Sequence, residues 1–373
     1  MKLTIFVDLF IKIIVLTKKL LLFIGCWMVS YIPAQVPLYI KDITDPESKV
    51  ADALCSPLHT VTICTANLDS VKLFYVKGMG MTLVGPLTLS KKERNLQMEL
   101  WDLPAAMDYS LYILHRPTVP DNVKIRVVVL NKKSPLVHKT YNSREMGPFT
   151  LGFPNANEEL LDSMMHDLGF SSMAPLQAAM LSKPDGSKYK YLETIYKAPD
   201  FIHAVGIERG NGMPQLSDYD AITLKGGPGY AAQVVTGISK QVIKFYTEVL
   251  GMEIRKDTEW RTGEGSALGI EPNVPFRFTI VFSKGAKSGH LLFLDFKDNK
   301  RVIPNAAPRL PNRGICMYSF STKNIKTISY RAKDAGVKII MKPTDFKDPW
   351  IGNCKVMTML SPNGLMIEVF QPK

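Results

Sequence analysis

The stretch that decides the fold is residues 360–371, L-S-P-N-G-L-M-I-E-V-F-Q. Ser361-Pro362-Asn363-Gly364 carries turn chemistry, because proline presets φ and Asn-Gly accepts φ > 0. Residues 365–370 then read as a mostly apolar strand. Side chains alternate across a strand, so Met366, Glu368 and Phe370 share one face. A carboxylate between two large apolar neighbours is costly to bury unless a metal ion, a cationic partner or water at a cavity mouth answers it. The alternative is a solvated face on which Glu368 is ordinary surface.

Working outward from that strand, the same punctuation recurs in four units. The first opens on Leu58-His59-Thr60-Val61-Thr62-Ile63, an alternating strand. Asn67-Leu68-Asp69-Ser70 then gives a helix start with Asn or Asp as cap. Val71-Lys72-Leu73-Phe74-Tyr75 has helical spacing, and Gly80-Met81 closes it. The third unit repeats this as Val242-Ile243-Lys244-Phe245-Tyr246 and Gly251-Met252, with the same five-residue step from Tyr to Gly. Its opening strand reads as residues 221–224, followed by a Gly-rich insertion at 226–229 that lacks the Lys-Ser/Thr of a P-loop. The second unit opens on Phe149-Thr150-Leu151-Gly152-Phe153, with Asn155 or Asn157 capping a helix that ends at Gly169. The fourth opens on Cys316-Met317-Tyr318-Ser319-Phe320, and its helix ends at Gly336, the expected left-handed stop.

After each helix come runs that read as three strands. They are 81–84, 96–100 and 110–115 in unit one, with 189–196 closing unit two. Unit three offers 253–256, 276–282 and 291–296, and unit four 338–341, 355–360 and 365–370. Residues 124–131, a strand opening with alternating basic residues, would join units one and two, and 211–217 would link the pairs. A single curved sheet with one helix cannot close alone, so the units should pair around a shared concavity.

Composition bounds the function. With 373 residues, 46% of them hydrophobic, the chain should build sizeable cores. A net charge of +12 favours anionic surfaces or substrates. The lysines are scattered and no basic cluster is interleaved with aromatics, which argues against nucleic acid. Five cysteines without a C-x-x-C pair exclude zinc-finger and thioredoxin-like readings. Lys18-Lys19 precedes an uncharged run at 20–34, the layout of a secretory signal. That run is short of the ~20 residues of a full membrane span. The expected organisation is a signal peptide or membrane anchor at 1–36, a linker at 37–55, and two domains at 56–210 and 211–373, in an exported or membrane-anchored protein. His203 and His290, near turns, read as exposed.

The repeated unit resembles the vicinal oxygen chelate superfamily, which includes glyoxalase I, extradiol dioxygenases and fosfomycin-resistance proteins. The resemblance covers residues 56–373, and its most specific pieces are L-H-T-V-T-I, N-L-D, F-Y and G-M near the start and S-P-N-G-L-M-I-E-V-F-Q at the end. It implies an α+β fold of four βαβββ modules paired into two half-barrel domains after an N-terminal hydrophobic segment. In the family two modules make one cup, and a divalent metal is held by inward side chains of the first and last strands. Carried over, these positions fall on His59 in module one and Glu193 in module two, with the non-ligating Ile113 and Gly147 completing that cup. In the other cup they fall on Glu368, Asp220, Cys316 and Phe293, with Asp295 one step further along the face of Phe293. Neither cup shows the two histidines and glutamate of an extradiol dioxygenase, which speaks against iron-dependent ring cleavage. Tyr318, two positions from Cys316, is expected on the same face as a proton donor.

Two functions follow from the resemblance. One is a metal-dependent lyase or dioxygenase acting on a small substrate with adjacent oxygens, using Fe, Mn, Zn or Ni as Lewis acid. His59, Glu193, Asp220, Cys316 and Glu368 would be its candidate ligands, with Glu368 and Tyr318 as catalytic groups. Glyoxalase I itself fits an exported protein poorly, because its thiol cosubstrate is cytosolic. The other function is a non-catalytic protein whose cup, having lost ligand positions, binds a hydrophobic small molecule. Either way the partner is a small molecule and not nucleic acid, membrane contact runs only through the N-terminal segment, and a homodimer is compatible. One cup is expected to be structural and the other functional.

Overall fold

Asn67, Asn157 and Asn324 each accept a hydrogen bond from the backbone N–H three residues on, at 3.1, 2.9 and 3.1 Å. Each cap satisfies an N–H that the first helical turn leaves without a partner, which fixes where the helix begins. A computed structural model describes residues 48–373 apart from 105–106, 131–133, 183–185, 211–217, 221 and 299. The N-terminal segment, most of the linker and the link at 211–217 therefore lie outside the described residues.

Module one runs β1 (Thr60–Thr65), α1 (Leu68–Val71, continued with a wider turn over Lys72–Gly78), β2 (Thr82–Val84), α2 (Lys91–Leu100), β3 (Ser110–His115) and β4 (Lys124–Val129). Module two is β5 (Gly147–Pro154), α3 (Glu158–Asp167), β6 (Gln177–Ser182), β7 (Lys188–Ala198) and β8 (Ile202–Arg209). Module three is β9 (Tyr230–Val234), α4 (Ser239–Lys244, continued over Phe245–Val249), β10 (Glu253–Arg261), β11 (Pro275–Phe282) and β12 (His290–Phe296). Module four is β13 (Gly314–Ser321), α5 (Ile325–Asp334), β14 (Ile339–Asp348), β15 (Gly352–Leu360) and β16 (Met366–Pro372). The four βαβββ modules thus stand, with α2 inserted into the first.

Two eight-stranded sheets result, ordered β14-β15-β16-β13-β1-β4-β3-β2 and β10-β11-β12-β9-β5-β8-β7-β6. Module one therefore shares a sheet with module four, and module two with module three. Modules one and two, adjacent in the chain, lie in different sheets, as do modules three and four. The central contacts are antiparallel, β1 on β13 and β5 on β9. Each eight-stranded sheet is completed within one chain.

Four strand assignments change with the structure. Residues 96–100 are the end of α2, not a strand. Ser90 and Glu93 exchange reciprocal capping bonds of 3.0 and 3.3 Å, an S-x-x-E start signal that fixes a helix here. Residues 124–129 are the last strand of module one, not a connector. Residues 188–198 are only the third strand of module two, which closes on β8. Residues 222–224 make a turn held by the Asp220 carboxylate, which accepts from the N–H of Ile222 (3.0 Å) and Thr223 (2.6 Å), so the Gly-rich run precedes the module-three strand.

One apolar core joins the helix-bearing faces of both sheets. Val61, Tyr318 and Phe320 from one sheet, and Leu151, Phe153 and Phe293 from the other, pack with Phe74, Met165, Tyr246 and Ile328 of the helices. The opposite face of each sheet lines its own cup, with a separate apolar cluster.

Candidate functional site

Strand register aligns the two cups. In one sheet Val61 lies opposite Tyr318. One residue further along each strand, Thr62 and Ser319 lie beside Arg126 and Glu368 on the adjoining parallel strands. In the other sheet Leu151 lies opposite Ala231, and one residue further Gly152 and Ala232 lie beside Val205 and Leu292. The equivalent last-strand positions are thus Arg126 and Glu368 in one cup, Val205 and Leu292 in the other.

The cup of modules one and four is plugged. Arg126 and Glu368 are 3% and 5% exposed. The Arg126 guanidinium donates in fork fashion, Nη1 to Oε2 at 3.2 Å and Nη2 to Oε1 at 3.0 Å. Ser319 Oγ donates to Oε1 at 2.8 Å, and Trp101 Nε1 to Oε2 at 3.4 Å. The Asp348 carboxylate stands 3.7 Å from Arg126, and the guanidinium lies 5.6 Å from the Trp101 ring centre. Burial alone would push the Glu368 carboxyl up, but the Arg126 charge and these donors hold it below the usual range. Trp101 arrives at the end of α2, where Thr358 Oγ1 donates to the Leu100 carbonyl at 2.6 Å. Met98, Leu100 and Leu103 fill the remaining concavity against Met317, Met366 and Phe370.

The cup of modules two and three is lined by aromatic rings. Gly152 faces Tyr230, and a Cβ there would fall 1.8 Å from the tyrosine ring, so only glycine lets the ring lie across β5. Tyr230 stacks on His290 (5.1 Å, 14°), and His290 on Phe282 (4.6 Å, 22°). Burial, then the charges of Arg209 and Arg255, lower His290 to about 3, so it is neutral at pH 7. Tyr191, Glu193, Lys256, Trp260 and Phe278 are only half-buried. Burial raises Glu193 to about 7 against a hydrogen bond with Tyr191. Burial, then Arg209, lowers Lys256 to about 8. Its ammonium lies 5.2 Å and 5.4 Å from the ring centres of Trp260 and Phe278.

The residues singled out in the sequence are not assembled as one set. His59 sits just before β1 in the sheet that carries Glu368, with its ring edge on Phe370 at 5.0 Å and Nδ1 2.8 Å from Thr60 Oγ1. Burial, then Lys124 and Arg126, lower it to about 4. Glu193 is in the other sheet. Asp220 is a turn cap and not a first-strand residue. Asp295, on the face of Phe293, accepts from Ser239 Oγ at 2.6 Å at the start of α4. Cys316 is the extra residue where Thr62 pairs Met317 and Ile63 pairs Ile315. That bulge shifts the alternation, so Cys316 faces the plugged cup while Tyr318 enters the helix-side core. Ile113 lies on the third strand of its module, and Gly147 begins β5. His203 and His290 are buried, not exposed.

Sequence reasoning misses two groups. Arg126 carries a signal, since Lys124 and Arg126 alternate in an otherwise apolar run. Lys256 and Trp260 carry none, because their meaning depends on which modules pair. The donor set suits a divalent metal poorly. A guanidinium points at Glu368 in one cup, and the matching positions of the other are hydrocarbon. Among the described residues, no three His, Cys, Asp or Glu side chains gather as a ligand set.

The model of the Glyoxalase/Bleomycin resistance protein/Dioxygenase superfamily matches residues 230–369. Crystal structures of glyoxalase I from Zea mays share the fold. One, of a single-residue mutant in tetragonal crystals, is 13% identical, with a TM-score of 0.56 over 87% of this chain and 96% of that one. Another, of a different single-residue mutant in hexagonal crystals, is 15% identical, with the same TM-score and coverage. A third structure, without a named mutation, is 14% identical with a TM-score of 0.55, over 87% and 94%. No curated protein matches the chain in sequence.

Proposed function

For a glyoxalase/dioxygenase-like protein of the vicinal oxygen chelate fold, we propose a binding function in which only the cup of modules two and three takes a ligand. The ligand is an aromatic small molecule, and the cup of modules one and four is structural. One observation supports this above the others: at the equivalent last-strand positions, one cup pairs Glu368 with Arg126 and the other presents Val205 and Leu292. A Lewis-acid reaction would need those positions to offer free ligands, and here the one carboxylate is taken by a guanidinium and the other cup's positions are hydrocarbon. Glu368 holds Arg126, and its partners leave it no role as a base.

The aromatic cup offers flat, rigid walls with a few polar groups at its mouth, the composition of a small-molecule site. Trp260 and Phe278, half-buried, provide ring faces backed by the buried Tyr230–His290 stack, and the Tyr191–Glu193 pair provides a donor and acceptor. An enzymatic reading rests on Glu193 alone, whose pKa near 7 suits a general acid or base. Export belongs to the proposal through the sequence of residues 1–36 only.

Titration with N-phenyl-1-naphthylamine tests the reading. One equivalent should bind, at least tenfold more weakly in Gly152→Ala, and equally well in the Arg126→Met/Glu368→Leu double variant. Binding lost in the double variant and kept in Gly152→Ala would move the site to the other cup. One equivalent of firmly retained divalent metal in the purified protein would restore the metal reading.

A further inference from the structure

The aromatic cup gathers positive charge. Lys256 and Arg209 are close enough for Arg209 to disfavour the charged form of Lys256. Arg209 acts in the same sense on His290, and it stabilises the ionised forms of Tyr191 and Tyr230. Arg209 lies opposite Tyr191 on the neighbouring strand. Lys256 makes no ion pair among the described residues, and its ammonium rests over the Trp260 and Phe278 rings. Cation–π contact answers part of a desolvated charge and leaves its other donor directions open.

Neutral donors and acceptors are left over as well. Trp260 Nε1 and Thr258 Oγ1 are buried without a hydrogen-bond partner among the described residues. On β10, Lys256, Thr258 and Trp260 alternate onto the face that carries Phe276 and Phe278. One wall of the cup thus presents an ammonium, a hydroxyl and an indole N–H together. A buried donor without a partner is unfavourable, and a bound acceptor would remove that cost. The carboxylate at hand, Glu193, is engaged with Tyr191 and is half-protonated near neutral pH.

We propose that the ligand of this cup is a planar aromatic anion, its ring against Trp260 and Phe278 and its anionic group received by Lys256 and the Trp260 N–H. The inference rests on the binding role assigned to this cup and adds the charge of the ligand. An ionised carboxylate, sulfonate or phenolate accepts hydrogen bonds and donates none, which matches a wall of donors. The chain's net charge of +12 would also draw such a ligand in from a distance.

Calorimetric titration of the full chain with 2-naphthoate and with its neutral counterpart 2-naphthylmethanol separates the two claims. The expected result is at least tenfold tighter binding of the naphthoate. Lys256→Met and Lys256→Gln should each erase most of that preference while changing the alcohol affinity less than threefold. Trp260→Phe, which keeps the aromatic face and drops the N–H, should weaken the naphthoate severalfold more than the alcohol. Equal binding of both ligands to the unaltered protein would overturn the anion preference and leave the cup reading standing. Binding of neither would overturn the cup reading together with the inference. A preference that survives both Lys256 variants would overturn the assignment of the receiving groups.

Discussion

The two cups share a strand plan and differ in what fills them. In the plugged cup, β2 is cut to Thr82–Val84, and the chain between β2 and β3 folds into α2 and delivers Trp101. The corresponding strands β10 and β14 run nine and ten residues with no helix after them. The plugged cup keeps an acid at a last-strand position and supplies Arg126 as a permanent counter-charge. The aromatic cup has no acid at either matching position, yet it holds Glu193, Lys256 and Arg209 off that axis. The difference teaches that an acid retained at a family position is not evidence of a working site. Its partner decides, and here the partner is a side chain of the same sheet.

The largest effect should come from breaking that partnership. Arg126→Met leaves Glu368 buried beside Asp348 without a cation and should cost about 3–5 kcal/mol in denaturant unfolding. The Arg126→Met/Glu368→Leu double variant should recover part of that loss, because the Glu368 charge is gone while Asp348, left with the N–H groups of Trp350 and Ile351, still loses its cation. A double variant as unstable as the single one would mean that the pair is needed for folding and is more than a replacement for a metal. Trp101→Phe is next. It keeps an aromatic ring and removes the 3.4 Å donor to Glu368, an interaction with a charged acceptor worth about 1.5–3 kcal/mol. In the aromatic cup, Gly152→Ala forces the Tyr230 ring to move, with an overpacking cost of about 1–3 kcal/mol. Its sharper readout is the lost ligand affinity, which neither change in the plugged cup should reproduce.

Much of this arrangement is legible in the sequence, and the failures have physical causes. The S-P-N-G-L-M-I-E-V-F run becomes the turn and β16 because turn chemistry and a period of two are local signals. Asn67, Asn157 and Asn324 mark their helices for the same reason. Which modules share a sheet is a non-local property, and no single strand encodes it. Chain order therefore groups His59 with Glu193, although they lie in different sheets. The last strand of module one is misplaced in the sequence because α2 interrupts the pattern, and that moves the ligand position from Arg126 to Ile113. A single bulge residue, Cys316, turns Tyr318 to the far side of the sheet, where its hydroxyl is buried without a partner among the described residues.

The last prediction separates the cups by the sign of their pH dependence. Burial raises Glu193 to about 7, whereas the unfolded chain releases that proton near about 4.3. Between those values the folded protein binds more protons than the unfolded one, so this group's contribution to stability falls as pH rises and levels off above about 7. Glu368 is depressed in the folded state, so its contribution is full above the unfolded value and is lost as pH falls through the folded one. Glu193→Gln should therefore flatten the decline between pH 5 and 7 and leave the acid limb unchanged. Glu158, fully buried under β8 and raised to about 8, acts in the same neutral window, so Glu158→Gln supplies the control slope. A Glu193→Gln profile that tracks the unaltered protein from pH 5 to 8 would show that the aromatic cup is wet enough to ionise freely. The contrast between a dry plugged cup and a half-dry aromatic one would then need a different cause from the burial of this carboxylate.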